Sequence, residues 1–522
     1  MQGDLGQCFR LSGYCGRSVT ALTAIVVAGL WTIGFAPEAK ALPSFARQTG
    51  QPCGTCHTDF PGLTPFGRRF KLLGYTTGGG LYRTTLFSDS KIARDANAEL
   101  RSYANSIGVA GDSNANSPPP SGEKGWVPPV SMMAIVGYTH TQADLPQPSD
   151  PYKPNDNVVL TPFSGFWGGA ITSNIGAFAQ VTYNAPPAGG FGGSPFGHTW
   201  TWDNTDVRFA STASIGSLDL IYGITANNNP TVQDVWNTTP AWAFPYAVSN
   251  LGSTGPSATT MIEGAFAAHV GGVGVYAMIN DLLYLEATGY ETLAFNAQNT
   301  LGANPFNTAG QFAGVAPYWR AAIEPHWGNQ SLMVGTFGMI FDINPWADPT
   351  FAAGSTATIP QTDRYTDVGV DAQYQYMGSN YWLTLRASYI REFQRLDASF
   401  GGFNPAQQSS NPTNTLNSMR LMASFAYGAD NRVVFTGQYF DVSGSADAGL
   451  FGTDFNGNAM TPNSNGWTAE IAYIPYGVGK APGWPWFNAR VGLQYTYFNK
   501  FNGTTVGAQD NNTLFLHAWF AM

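Results

Sequence analysis

From Trp126 onward the chain alternates apolar and polar side chains with a period of two. Tyr381, Leu383, Leu385, Ala387 and Tyr389 fall on one face of an extended segment, opposite Thr384, Arg386 and Ser388. Met419, Leu421, Ala423, Phe425 and Tyr427 likewise oppose Ser418, Arg420 and Ser424, and Val433, Phe435, Gly437 and Tyr439 oppose Arg432, Thr436 and Gln438. Near the C-terminus Phe487, Ala489, Val491, Leu493, Tyr495 and Tyr497 oppose Asn488, Arg490, Gln494 and Thr496. Successive side chains of a strand point to opposite faces of its sheet, so each run predicts one two-faced strand. Runs of about ten residues with tyrosines near their ends suit a wall with lipid outside and an aqueous lumen inside. A soluble β-sandwich would also alternate, but its polar face would carry more lysine and glutamate.

Short turns are expected near Ser173-Asn174-Ile175-Gly176, Ser214-Ile215-Gly216-Ser217, Gly271-Gly272, Gly328-Asn329-Gln330, Gly378-Ser379-Asn380, Gly428-Ala429-Asp430 and Tyr476-Gly477-Val478-Gly479. Long Asn/Pro/Gly-rich connections separate them. Seven short turns join fourteen strands, and two more at about 128–141 and 512–522 bring the total to about sixteen, an even number with both termini in the periplasm. In the last of these Leu514, Leu516, Ala518, Phe520 and Met522 form the outward face. The expected fold is all-β, an antiparallel transmembrane barrel of about 16 strands. Asn237, Asn307 and Asn456 then belong to cell-surface loops, and Asn329 and Asn380 to periplasmic turns.

Composition agrees with a membrane wall: 11% of residues are charged, with 61 Gly and 14% aromatics, an unusual balance for a soluble domain. Residues 1–41 read as a signal peptide. Arg10 and Arg17 lie in its basic region, an apolar run extends from Val19 to Ala36, and Ala39-Lys40-Ala41 gives a small-x-small cleavage site before Leu42. The alternative, a retained anchor, is disfavoured because the run is shorter than a comfortable bilayer span. Removing Asp4, Glu38, Arg10, Arg17 and Lys40 leaves 31 acidic and 21 basic side chains, a net charge of −10. That excess argues against nucleic acid as a partner and suits a metal cation as substrate.

Cys8 and Cys15 fall in the signal peptide, so Cys53 and Cys56 are the mature chain's cysteines. In an exported protein a cysteine pair would ordinarily form a disulfide. Here it sits in Cys53-Gly54-Thr55-Cys56-His57, the attachment pattern of haem c. Both thiols form thioethers to the porphyrin and His57 is the proximal iron ligand. A zinc site would need a second pair of Cys or His ligands at short spacing, and none follows. A thioredoxin-type motif would need a βαβ context, which is also lacking. The chain divides into a signal peptide (1–41), a segment carrying one haem c (42–80), a polar linker (81–126) and the barrel (127–522).

Within the haem segment a helix is expected, with Thr64 as N-cap, Pro65 as first residue and Gly74 at C′. Phe66, Phe70 and Leu73 form its apolar stripe, which either packs on the barrel wall or covers a haem face. Arg47, Arg68, Arg69 and Lys71 surround the motif. Arg47 and Arg68 are candidate partners of the haem propionates, the alternative being a solvated basic face. So short a segment buries too little surface to enclose a haem alone, so it is expected to plug the lumen from the periplasmic side.

These motifs resemble a known family. The run Leu42-Pro43-Ser44-Phe45-Ala46-Arg47-Gln48-Thr49, then Cys53-x-x-Cys56-His57, Phe60-Pro61 and Phe66-Gly67-Arg68-x-Phe70-Lys71-x-x-Gly74-Tyr75, resembles the outer-membrane cytochrome–porin fusions of iron-oxidising bacteria. Pro128-Pro129-Val130-Ser131-x-Met133 and Asn512-Thr513-Leu514-Phe515-Leu516-x-Ala518-Trp519 are similar too. The resemblance implies a monohaem outer-membrane cytochrome that takes electrons from extracellular Fe(II), with a periplasmic c-type cytochrome as acceptor. Such an iron:cytochrome c oxidoreductase needs no acid–base triad. Rival readings are a solute porin with a haem plug and a conduit for another extracellular donor.

The second axial ligand must come from elsewhere. No His or Met lies between Leu42 and Cys53 or between His57 and Met132. On the first strand Met132, Ala134, Val136 and Tyr138 form the lipid-facing set, which turns Met133 inward as the candidate distal ligand. A thioether there would raise the potential toward that of a weak reductant. His269 is the second candidate, and lysine, water or an open position remain alternatives. Asp206, Glu263, Glu324, Asp367, Asp371 and Glu470 face the lumen by parity. They either guide ferrous iron or pair with Arg208, Arg320, Arg386, Arg420, Arg432 and Arg490.

Overall fold

The computed structural model describes residues 43–49, 51–76, 129–145, 152–183, 200–303, 310–345, 361–400, 409–428, 431–454, 456–479 and 484–522. The expected signal peptide, the linker and Asn307 lie outside them. Sixteen long strands follow one another around a single sheet: β1 Val130–Thr141, β2 Asn157–Ala170, β3 Ile175–Tyr183, β4 Trp200–Ile215, β5 Leu218–Asn227, β6 Val270–Ile279, β7 Leu283–Thr292, β8 Ala316–Ile323, β9 Gln330–Asn344, β10 Asp363–Met377, β11 Tyr381–Arg395, β12 Thr413–Tyr427, β13 Val433–Gly444, β14 Ser464–Tyr473, β15 Asn488–Lys500 and β16 Thr513–Ala521. Two-residue strands at Gln311–Phe312 and His326–Trp327 extend the edges of β9. β16 pairs antiparallel with β1, Val136 opposite Ala518, so the sheet closes and has no open edge.

Closure satisfies the wall's backbone groups within the wall, as hydrocarbon demands. The faces follow the alternation. Met132 and Val136 are 47% and 39% exposed, whereas their neighbours Met133 and Ile135 are 9% and 2% exposed. Leu421, Phe425, Tyr427, Val491, Leu493 and Tyr495 point outward in the same way. Among the described residues no helix is long and apolar enough to cross a membrane; the crossing is made by strands.

Two of the expected turns are corrected. Gly271 and Gly272 lie inside β6, and the β6–β7 turn is made by Asn280, Asp281 and Leu282. A Cβ on Gly272 would fall 2.2 Å from the Tyr290 ring, so glycine there accommodates a cross-strand aromatic. The segment around Tyr476–Gly479 belongs to a longer connection, residues 474–487.

The larger difference concerns residues 228–269, between β5 and β6. This stretch crosses the lumen. On one side Arg208 donates to the Gln233 carbonyl (2.6 Å) and Gln233 to Glu286 (2.8 Å). Arg320, the cross-strand neighbour of Glu286, pairs on that same side with Asp234 (3.1 Å) and Asp371 (2.7 Å). Farther around the wall Arg386 donates to the Tyr246 hydroxyl (2.5 Å), Arg420 of β12 pairs with Glu263 (3.0 Å), and Thr139 of β1 bonds Ser249 (2.6 Å). The amides of Met261 and Ile262 donate to Glu392 (2.5 Å) and Asp367 (2.9 Å). Asn237, expected at the cell surface, is buried inside the barrel at 3% exposure. The core of the molecule is therefore the filled lumen, where Leu72 and Leu73 of the N-terminal segment meet Val235 and Trp236 of the crossing loop and Ile221, Tyr276 and Met333 of the wall.

Candidate functional site

The N-terminal segment forms three short helices, α1 Pro43–Thr49, α2 Cys53–Cys56 and α3 Pro65–Leu72. In α3 the Thr64 hydroxyl accepts from the Gly67 amide (3.1 Å) and Pro65 fills the first position, as the sequence predicts. At its end Gly74 adopts φ +70°, the Gly74 amide donates to Lys71 O (3.1 Å) and the Tyr75 amide to Phe70 O (3.0 Å). This Schellman pair closes the helix and sets the Tyr75 ring edge-on to Phe70, 6.4 Å between centroids.

Cys53 and Cys56 are one turn apart on α2, hence on one side of it, and form no disulfide. The His57 amide donates to Cys53 O (2.9 Å), placing the imidazole directly after the turn. Between Pro52 and Asp59 the backbone is packed against the barrel, and Cys53, Cys56 and His57 alone in that stretch keep partial access. The loop after His57 closes on itself: the Thr58 amide donates to Gly62 O (3.0 Å), His57 bridges Leu63, and the Phe60 ring lies 4.9 Å from the imidazole. Burial pushes the thiols up to about 11 and about 12 and the imidazole down to about 4, so His57 is neutral across the physiological range. His57 Nδ1 is buried without a hydrogen bond of good geometry, beside the Pro61 and Gly62 backbone. Two thiols on one side of a turn and a neutral imidazole directly after it are residues that fit a haem c.

The barrel wall holds this segment at the strand ends joined by the β6–β7 turn and the 474–487 connection. The Gly54 amide donates to Val478 O (2.7 Å), and Trp484 Nε1 to Gln51 O (3.3 Å). Arg47 donates to Val130 O (2.5 Å) and lies over the Trp486 ring (4.4 Å). Arg69 pairs with Asp281 in the β6–β7 turn. Lys71 Nζ is buried, donating to Val232 O and Asp234 O (2.7 Å each) with the Trp242 ring 4.7 Å away. Phe70, Leu72 and Leu73 are 7%, 3% and 6% exposed. At about 1.5–3 kcal/mol per buried side chain, these three contribute roughly 5–9 kcal/mol of docking that the isolated segment could not obtain.

Several expected roles change on this evidence of contact. Arg68, a candidate propionate partner, points to the wall instead: it pairs with Glu324 and donates to Gln375 Oε1 (2.6 Å), because the helix buries that face. Phe70 and Leu73 pack on wall and loop, so only half-buried Phe66 of the apolar stripe is left for another neighbour. Met133 does face the lumen, in a cluster with Phe70, Tyr75, Phe166 and Phe178. His269 precedes β6 at its far end and bonds Gln298 (2.8 Å). Seven residues of strand, about 24 Å, separate it from Tyr276, which touches Leu72 of the plug. The lumen carboxylates are mostly paired: Asp206 with Arg208 (2.7 Å), Glu263 with Arg420 (3.0 Å), Asp371 with Arg320 and Glu470 with Arg490. Glu263 sits in the crossing loop and not on a strand.

The inward fold of residues 228–269 was missed in the sequence. Its signal was composition: Val232, Val235, Trp236, Trp242, Phe244, Tyr246, Ile262 and Phe266 are too apolar for a solvated loop.

A closed sixteen-strand barrel with an apolar outer face is an outer-membrane β-barrel, and its lumen-crossing loop makes it porin-like. No protein-family model matches the chain, and no curated protein matches it. Among solved structures it is similar to Pseudomonas putida OprB at high pH (11% identity, TM-score 0.40, covering 75% of this chain and 92% of that one). It is also similar to Salmonella typhi OmpF in complex with daunomycin (12%, 0.41, 75% and 97%) and to a BenF-like porin from Pseudomonas fluorescens Pf-5 (10%, 0.36, 75% and 97%).

Proposed function

We propose that this barrel is a monohaem c-type cytochrome of the outer membrane, which takes electrons from extracellular Fe(II) and hands them to a periplasmic cytochrome. The observation that carries the reading is the placement of Cys53 and Cys56 on one side of α2 with His57 directly after it, the three partly accessible residues of the otherwise buried stretch from Pro52 to Asp59. A haem bound there would supply one-electron storage at its iron. Cys53 and Cys56 would tether it, and His57, held neutral by burial, would ligate. Met133 is the proposed distal ligand and Arg47 a propionate partner.

The crossing loop supports electron passage over solute passage. It spans the lumen with buried residues anchored on opposite walls, so the ferric product would stay outside while charge moves inward. The donor is proposed from the resemblance of the haem segment to the iron-oxidiser fusions and from the acidic balance of the mature chain.

The test is stopped-flow reduction of the purified holoprotein by Fe(II), sulfide and small organic reductants, with solute flux measured in liposomes. Fast reduction by Fe(II) without flux is expected. Solute flux indifferent to haem redox state would make the chain a porin with a plug. Reduction by the other donors alone would replace Fe(II).

A further inference from the structure

We propose that Arg490, on strand β15 of the wall, positions the iron-ligating histidine; this rests on the haem reading above. Its Nη1 donates to Asp59 Oδ2 (3.3 Å) and to Phe60 O (3.2 Å), the second and third residues after His57. Its Nη2 pairs with Glu470 on β14, whose other oxygen meets His517 Nε2 of β16 at 3.1 Å. Arg490, Asp59, Glu470 and His517 are all at most 5% exposed. Glu470, braced by His517, therefore fixes one side of the guanidinium, and its other side holds the loop whose Phe60 ring backs the imidazole.

Metal-ligating histidines are commonly oriented by partners outside the coordination sphere, and such partners tune the metal. Here the orienting contact acts through the backbone of the His57 loop. Arginine suits the task because it stays charged and offers donors in a planar fork, one side for each carboxylate. It also places a permanent positive charge beside the ligand loop, which favours the ferrous state of a neighbouring haem. Loss of that charge leaves Asp59 and Glu470 without their common cation.

The test uses the full-length holoprotein in detergent, with variants R490Q, R490K and D59N. The readouts are ferric electron paramagnetic resonance g values, which report imidazole orientation, and the midpoint potential. R490Q should shift the g values and lower the ferrous-to-ferric ratio several-fold at fixed poise. D59N should shift the g values and raise that ratio, and R490K should fall nearer wild type in potential. A merely structural salt bridge would lower the melting temperature and leave both readouts unchanged, and that result overturns the proposal. If R490Q does not fold, D59N decides by the same criteria. A wild-type protein without covalent haem overturns the haem reading, and this role with it.

Discussion

Gly67 of helix α3 lies so close to Cys56 that a Cβ at position 67 would fall 2.2 Å from the Cys56 carbonyl oxygen. Only hydrogen fits between the helix and the Cys53–Cys56 turn. Gly67→Ala must push α3 away from α2, against the wall contacts of Arg68 and Phe70. Overpacking of this kind costs about 1–3 kcal/mol. Limited proteolysis of the purified protein should cut the segment faster in G67A than in wild type. An equal cleavage rate would mean that the two helices can slide apart freely.

Met133 packs against Phe70, Tyr75, Phe166 and Phe178 whether or not it binds iron. Met133→Ala should therefore destabilise this corner by about 2–5 kcal/mol through the cavity it leaves. Ligation adds a separate signature, loss of the ferric near-infrared charge-transfer band with a fall in midpoint potential. A destabilised variant in which band and potential are both retained would assign Met133 to packing alone.

Lys71 gives the docked segment a pH dependence. Burial, with Arg208 nearby, pushes Lys71 down to about 7, opposed by Asp206, Asp234 and Glu286. An undocked lysine keeps its proton to about 10.4. Between these values docking releases a proton, so docking strengthens as pH rises, by up to tenfold per pH unit. Below about 7 both states are protonated and the dependence levels off. Segment release measured by proteolysis between pH 6 and 10 should show this slope, and K71M should flatten it. A slope that survives in K71M would have another origin.

Tags inserted near Asn456 should be reached by antibody on intact cells, and tags near Asn329 or Asn380 should not. A tag at Asn237 should be unreachable too, because that residue is buried in the lumen. Labelling at Asn329 on intact cells would invert the orientation. Labelling at Asn237 would mean that the crossing loop stands outside the barrel.

The strands were legible because lipid and lumen impose opposite chemistry on alternate residues, as in β12, where Leu421 and Phe425 face out and Ser418 and Ser424 face in. The α3 helix was legible because Thr64, Pro65 and Gly74 punctuate it locally. Partners across the lumen were not. Arg68 looks the same in sequence whether it meets a propionate or Glu324, since that choice depends on which wall the helix touches. Gly271 and Gly272 read as a turn because the Tyr290 ring that needs the space is supplied by the next strand. The crossing loop escaped for the same reason: its anchors at Asp371, Arg386 and Glu392 lie more than a hundred residues away.

The crossing loop has a cellular consequence. A membrane crowded with open barrels would lose its barrier to antibiotics, bile-like detergents and toxic ions. Here residues 228–269 brace the channel from wall to wall, with Trp236 1% exposed. With the solute flux expected to be absent, a cell could place this protein in its outer membrane at high copy number and still keep that membrane tight.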